Sequence, residues 1–278
     1  MKRRTLYLAC GIPAALACFF FLTILFVPSR SIEGLLVRIC GNAGYTLRCT
    51  GFGKVLPVGF SARTLEIASE KGALLQLRDA KVRLELLPLL YGKAAVACSG
   101  GIGTGEVKGE LFLGKSPAWD LKCRGVRLEE IPFFKNVAEA SVKGELRLTG
   151  KLATGKAGGQ GDMQLEVKGA EVAGVKVGSM PLPDAAYREV RGALKIVKGR
   201  AALKSFTLNG DGIYVRISGD TQLAKPLGAS PLNLTMEMMP KPAFLERQKF
   251  VFLLLTKYQS SPGAFSIPIR GTLAHPSI

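Results

Sequence analysis

Apolar and polar residues alternate one for one in segment after segment of this chain. Val82, Leu84 and Leu86 alternate with Arg83 and Glu85, and Leu146 and Leu148 with Glu145, Arg147 and Thr149. Met163, Leu165 and Val167 alternate with Gln164, Glu166 and Lys168. The pattern returns at residues 213–218 and 232–238, and at Phe265, Ile267 and Ile269. Successive side chains of a strand point to opposite faces, so each segment has one apolar and one polar face. That is the pattern of antiparallel sheet; parallel strands covered on both sides are apolar throughout. The 33 glycines are spread along the chain and punctuate it into short segments, as many strands joined by turns require.

Helical signals are few. Ser31 is an expected N-cap for a short helix running to about Cys40, ended by Gly41 and Gly44. A second helix is expected over Leu128–Val137, its start limited by Pro132, and a third over Ala243–Lys257, just after Pro242. Residues 153–161, 178–186, 225–231 and 259–263 are rich in Gly, Pro or Ser and read as loops. A basic-Gly-x-Leu pattern recurs at Lys108–Leu111, Lys143–Leu146, Arg191–Leu194 and Arg270–Leu273. Its spacing is irregular, which excludes a solenoid of fixed period. It reads as a reused strand-start device in which glycine permits a bulge.

Ahead of the strands, Thr5–Val27 carries no charged side chain. As a helix the run would reach about 35 Å, enough to cross a hydrocarbon core of about 30 Å. It is longer than a typical signal-peptide core, and its exit, Phe26-Val27-Pro28-Ser29-Arg30, has no small-x-small cleavage site. The expectation is an uncleaved anchor, with residues 1–30 as cytoplasmic tip and span and residues 31–278 as one exported β-rich domain. Lys2, Arg3 and Arg4 are the topology determinants, because basic flanks stay in the cytoplasm. The longest later apolar stretch, Phe250–Leu255, is too short to return.

The net charge of +17 fits nucleic acid or an anionic membrane surface. Lysines and arginines alternate with apolar residues and form no long basic runs, so the reading is a basic face beside a membrane, with no nucleic-acid partner. Cys40 and Cys49 are spaced to close a small loop by a disulfide where helix gives way to strand; the alternative is that Cys40, Cys49, Cys98 and Cys123 are buried free thiols. No metal, cofactor or catalytic site is expected. There is no C-x-x-C, the single histidine, His275, lies in the last residues, and no G-x-S-x-G occurs. Residues 100–105 resemble a phosphate loop but lack its lysine and helix, so a glycine-rich hairpin is expected. Glu129 and Glu130 read as acids complementing a helix dipole.

The order of these pieces carries a resemblance. An anchor and short helix lead to a strand entering Leu86-Leu87-Pro88-Leu89-Leu90-Tyr91-Gly92-Lys93. Trp119-Asp120-Leu121, then Gly125–Pro132 and Val142–Leu146 follow, and the chain closes with Phe265-Ser266-Ile267-Pro268-Ile269-Arg270-Gly271-Thr272-Leu273-Ala274-His275-Pro276. This resembles the type II secretion system protein N family in its delta-proteobacterial form and, more distantly, AsmA-like envelope proteins. The resemblance covers nearly the whole chain, but its motifs are turns and strand ends. It implies a non-catalytic accessory of the secretion apparatus in the bacterial inner membrane, single-pass, with its main domain periplasmic. Its implied partners are membrane lipid and other secretion-system or envelope proteins. The AsmA-like relatives imply a curved sheet with an apolar groove that binds or transfers phospholipid. The expected fold class is therefore mainly β: one N-terminal transmembrane helix, then a curved antiparallel sheet, groove- or sandwich-like, with two or three short helices.

Overall fold

The computed structural model describes residues 28–42, 44–56, 58–85, 88, 94–114, 116–155, 158–177, 180–225 and 227–278. The expected anchor and its flank Lys2, Arg3 and Arg4 lie outside the described residues, as does most of the 86–93 motif. No described helix is long and apolar enough to cross a membrane.

The chain is mainly β. Helix α1 (Ser29–Asn42) leads into β1 (Thr46–Thr50), β2 (Gly53–Val55), β3 (Gly59–Ser69) and β4 (Gly72–Glu85). Next come β5 (Ala94–Ile102), β6 (Gly105–Leu113), β7 (Ala118–Arg127), a 3-10 turn over Leu128–Glu130 and helix α2 (Pro132–Asn136). The long strands β8 (Ser141–Gly155) and β9 (Gly158–Ala173) follow, then the small ribbon β10 (Lys176–Val177) and β11 (Met180–Pro181). The second half holds β12 (Ala185–Val197), β13 (Arg200–Gly210), β14 (Ile213–Gln222) and β15 (Leu232–Pro240). Helices α3 (Pro242–Arg247) and α4 (Lys249–Leu254) precede β16 (Gln259–Ser261), β17 (Ala264–Gly271) and β18 (Pro276–Ser277).

Sixteen strands form one antiparallel sheet in nearly sequential order, β1-β3-β4-β5-β6-β7-β8-β9-β12-β13-β14-β15-β17-β16, with β2 and β18 pairing off that path. Hairpin connections dictate this meander, since most strands pair with the next one synthesised; β1, β9 and β15 instead pair with β3, β12 and β17. The path ends at β1 and β16, and among the described residues no pairing joins those ends. Register places alternating residues on common faces. One apolar row runs through Leu146, Val167, Val190, Leu208, Val215 and Met238 across six paired strands. The opposite face is charged, with exposed pairs such as Lys143–Glu171 at 2.8 Å and Arg200–Asp220 at 2.7 Å. Each such exposed pair contributes little, about 0–1 kcal/mol.

The dense core lies in the second half. Met236, Met238, Ile267 and Phe265 are buried beneath Phe244 and Phe252 of α3 and α4, and Leu255 and Ile267 are fully enclosed. Phe252 packs on Phe244 and Phe265, with ring centroids 6.1 and 5.1 Å apart. The expected helix over Ala243–Lys257 is thus two short helices and a 3-10 turn at Thr256–Tyr258; Phe252 and Leu255 of its apolar stretch cap the sheet, while Phe250, Leu253 and Leu254 are exposed. The first helix begins at Ser29, so Ser31 lies in its first turn instead of at the cap, and Gly41 lies inside it. Its end is made at Gly44, whose φ of 82° and N–H bond to the Gly41 carbonyl at 3.0 Å turn the chain. The expected Leu128–Val137 helix is split by Ile131, whose extended φ and ψ break it just before Pro132, as the ring of proline demands.

Three loop expectations were too long. Within 153–161, β8 and β9 pair as far as Gly155 and Gly158; within 178–186, Met180–Pro181 form β11 and β12 begins at Ala185; and residues 259–261 form β16. The basic-Gly-x-Leu pattern is no common strand-start device. Gly144 does sit at a bulge with φ 133°, but Gly109 and Gly192 lie mid-strand and Gly271 at a strand end.

The 100–105 segment is the expected hairpin, and Glu130 fastens its tip. The Glu130 carboxylate accepts the Thr104 N–H at 2.9 Å, while Glu129 accepts the Gly144 N–H at 3.2 Å across its bulge. These acids therefore bind backbone donors on neighbouring strands, a role beyond complementing a helix dipole. Gly103 has φ 55°, and a Cβ there would collide with the Glu130 carboxylate. Gly103→Ala is expected to cost about 1–3 kcal/mol, from left-handed strain and a displaced charge-assisted bond, read from the denaturant midpoint.

Candidate functional site: an apolar groove

The apolar face continues into the first half of the sheet, where α2 meets only the start of β4, its Asn136 amide donating to the Ala73 carbonyl at 3.1 Å, and among the described residues no helix lines the face beyond it. A cavity of about 440 Å³ opens on this face, lined only by strand residues running from Leu65 on β3 to Ile196 on β12. Its exposed wall is made of apolar atoms alone. Its volume lies within the range of about 300–1,000 Å³ typical of small-molecule and lipid sites. Leu111, Trp119 and Leu152 form one cross-strand row of the wall, each paired with the next. Trp119, the sole tryptophan, is 49% exposed, unusual for a side chain whose apolar area favours burial.

The next row explains why the groove is hollow. Cys98 pairs with Gly109, Gly109 with Leu121, Leu121 with Gly150 and Gly150 with Met163. Glycines thus stand in phase with large apolar residues, where the alternation calls for another large one. Neither needs to be glycine for backbone reasons: an added Cβ at Gly109 would come no closer than 3.6 Å to any neighbour, and at Gly150 no closer than 3.5 Å. Gly100, further along the same face, has its nearest neighbour at 3.5 Å. Glycine inside a strand costs about 0.5–1 kcal/mol relative to alanine, so these three lower stability while leaving space. Gly192 contrasts with them, because a Cβ there would meet the Phe206 ring at 2.7 Å; that glycine makes room for core packing.

A larger concavity, of about 1050 Å³, is lined mainly by charged and polar residues including Glu106, Arg124, Arg147 and Glu166. Its charges are of both signs and partly paired within the wall: Arg147 meets Glu145 at 3.3 Å, and Arg191 meets Glu189 at 2.7 Å. That self-neutralised, wide surface offers no focused field for an ion of one sign. The apolar groove is the better formed site.

Cys40, Cys49, Cys98 and Cys123 all carry free thiols, so no Cys40–Cys49 bond is present in this structure. The two lie near each other at the α1–β1 junction: burial first, then the charges of Glu33 and Cys40, push the Cys49 thiol up. Burial likewise pushes up the Cys98 and Cys123 thiols, holding them protonated at neutral pH and weakening them as nucleophiles. Among the described residues no group of three or more His, Cys, Asp or Glu is placed to hold a metal ion.

Of the groove's wall, Val82 and Met163 belong to the alternation legible in the sequence; Leu111, Trp119 and Leu152 and the floor were not so marked. Gly109 was read as a bulge device; the available signal was a glycine in phase with the apolar positions of its strand. No protein-family model, no curated protein and no solved structure matches this chain.

Proposed function

We propose that this chain is a non-catalytic, membrane-tethered protein that holds a phospholipid acyl chain in a curved, apolar β groove. The observation that carries this reading is the glycine floor beneath half-exposed Trp119, a hollow kept open where larger side chains would fit. An acyl chain is the occupant whose chemistry matches a wall without exposed polar atoms. Burying its methylenes there contributes about 0.8 kcal/mol each. The apolar run Thr5–Val27, read as an anchor behind Lys2, Arg3 and Arg4, supplies the membrane, and places this domain in the periplasm of a two-membrane bacterium.

A second reading, an accessory of the type II secretion system, rests on the resemblance of the strand-end motifs. The uncapped sheet path favours it, since the exposed strand β16 offers backbone groups to a partner's strand. The two readings are compatible: a lipid-holding domain can also dock on envelope proteins.

The test compares the full chain with Trp119→Arg, both purified in the same detergent, by mass spectrometry of extracted lipid. Lipid around the anchor is common to both, so the difference reports the groove. The expected result is a lower phospholipid-to-protein ratio in Trp119→Arg; equal ratios contradict the lipid reading. Deleting the gene and finding export of folded substrates unimpaired contradicts the secretion reading.

A further inference from the structure

Helix α1 presents an apolar face that no described residue covers. None of its 14 residues is buried. Glu33 and Cys40 are half-buried and both act on the thiol of Cys49 in β1, which marks the side turned to the sheet; Ile32, within the apolar stripe, is half-buried as well. Leu35 and Ile39, one turn apart, are 57% and 55% exposed, and Leu36 is exposed beside them. Arg30, Gly34, Arg38 and Gly41 are also exposed. At 100° per residue they fall on the arc away from the Leu35–Leu36–Ile39 stripe.

Two facts identify the occupant of this face. The chain immediately before it, Thr5–Val27, is a long uncharged apolar run, and α1 starts two residues after that run ends. Pro28 stands at the junction, and its carbonyl accepts the Ser31 N–H at 3.1 Å. A helix that starts there and carries arginines opposite an apolar stripe has the composition of one lying in a membrane interface. We propose that α1 lies flat on the bilayer that holds the anchor, with Leu35, Leu36 and Ile39 at the acyl boundary and Arg30 and Arg38 among the head groups. The helix runs directly into β1, and Cys49 of β1 pairs with Leu65, the first residue of the groove wall. The interfacial helix therefore sets the entry side of the groove two strands from the lipid surface.

This inference rests on reading Thr5–Val27 as an anchor, and the experiment separates the two. The full chain carrying Trp119→Phe, which removes the only native tryptophan, receives a single reporter as Ile39→Trp or Gly34→Trp. Gly34 has no atom within 4 Å of an added Cβ, so it accepts a side chain. Each variant is reconstituted into phosphatidylcholine–phosphatidylglycerol vesicles with or without lipid brominated near the head-group end of its acyl chains. The expected result is that brominated lipid lowers Ile39→Trp emission about twofold or more, while Gly34→Trp responds to acrylamide instead. If the chain floats with vesicles but Ile39→Trp is quenched by acrylamide and not by brominated lipid, the interfacial helix is overturned and the anchor stands. If Ile39→Trp is shielded from both quenchers, protein covers the face and the proposal is again overturned. A chain that does not float with vesicles overturns both readings.

Discussion

Filling the groove floor with Gly109→Leu and Gly150→Leu together is expected to remove bound lipid while leaving the fold intact or more stable. Each added Cβ meets only ordinary contacts, at 3.6 Å or beyond for Gly109 and 3.5 Å for Gly150, and the rest of each leucine extends into the groove's open volume. Removing two strand glycines returns about 0.5–1 kcal/mol each. The two leucines occupy the space of several ligand methylenes. Excluding even two of these costs about 1.6 kcal/mol of binding, a little more than tenfold in affinity. The readout is lipid affinity alongside the thermal midpoint. The account expects the two to move in opposite directions, which general damage to the sheet would not produce.

The second large effect concerns the other half of the sheet. Leu255 follows α4, is fully enclosed, and belongs to the cluster with Phe252, Phe265 and Ile267. Leu255→Ala removes the atoms that seat α3 and α4 on the apolar face, at an expected cost of about 2–5 kcal/mol. For a chain of this size that lowers the thermal midpoint by roughly 4–20 °C. The mutation is far in sequence from the groove strands, β3–β9 and β12. Below the new midpoint, Trp119 emission and lipid content should therefore match those of the native chain. A loss of lipid at temperatures where Leu255→Ala remains folded would show that the groove depends on the helical cap.

The contrast between the two halves also explains what could be read in advance. Period-two alternation at Leu146–Leu148, Met163–Val167 and Ile213–Ile217 correctly pointed to antiparallel strands with one apolar face, because strand geometry forces that pattern. It could not say which part of the face would be covered. The helix expected over Ala243–Lys257 carried an apolar run on all sides; only packing decides that Phe252 and Leu255 cap the second half of the sheet while Phe250, Leu253 and Leu254 stay exposed. Turn and loop residues misled where glycine was taken only as punctuation. Residues 153–161 were expected to be a loop, yet β8 and β9 stay paired there as far as Gly155 and Gly158. Gly109 was taken for a bulge, although its φ is unremarkable and its neighbours are distant, so its missing side chain is what matters. The roles of Glu129 and Glu130 were also hidden, since their partners, Gly144 and Thr104, are set by tertiary approach of the hairpin tip and the bulge.

The central claim is that the groove beside Trp119 holds an acyl chain, and the protein's only tryptophan is already placed to report it. The most direct measurement is the emission of Trp119 in the full chain, exchanged into phospholipid carrying brominated acyl chains and then into the unbrominated form. The account predicts strong quenching by the brominated lipid, weak quenching by acrylamide, and loss of the lipid effect in the Gly109→Leu, Gly150→Leu chain. Emission that is indifferent to brominated lipid and freely quenched by acrylamide in the native chain would contradict it.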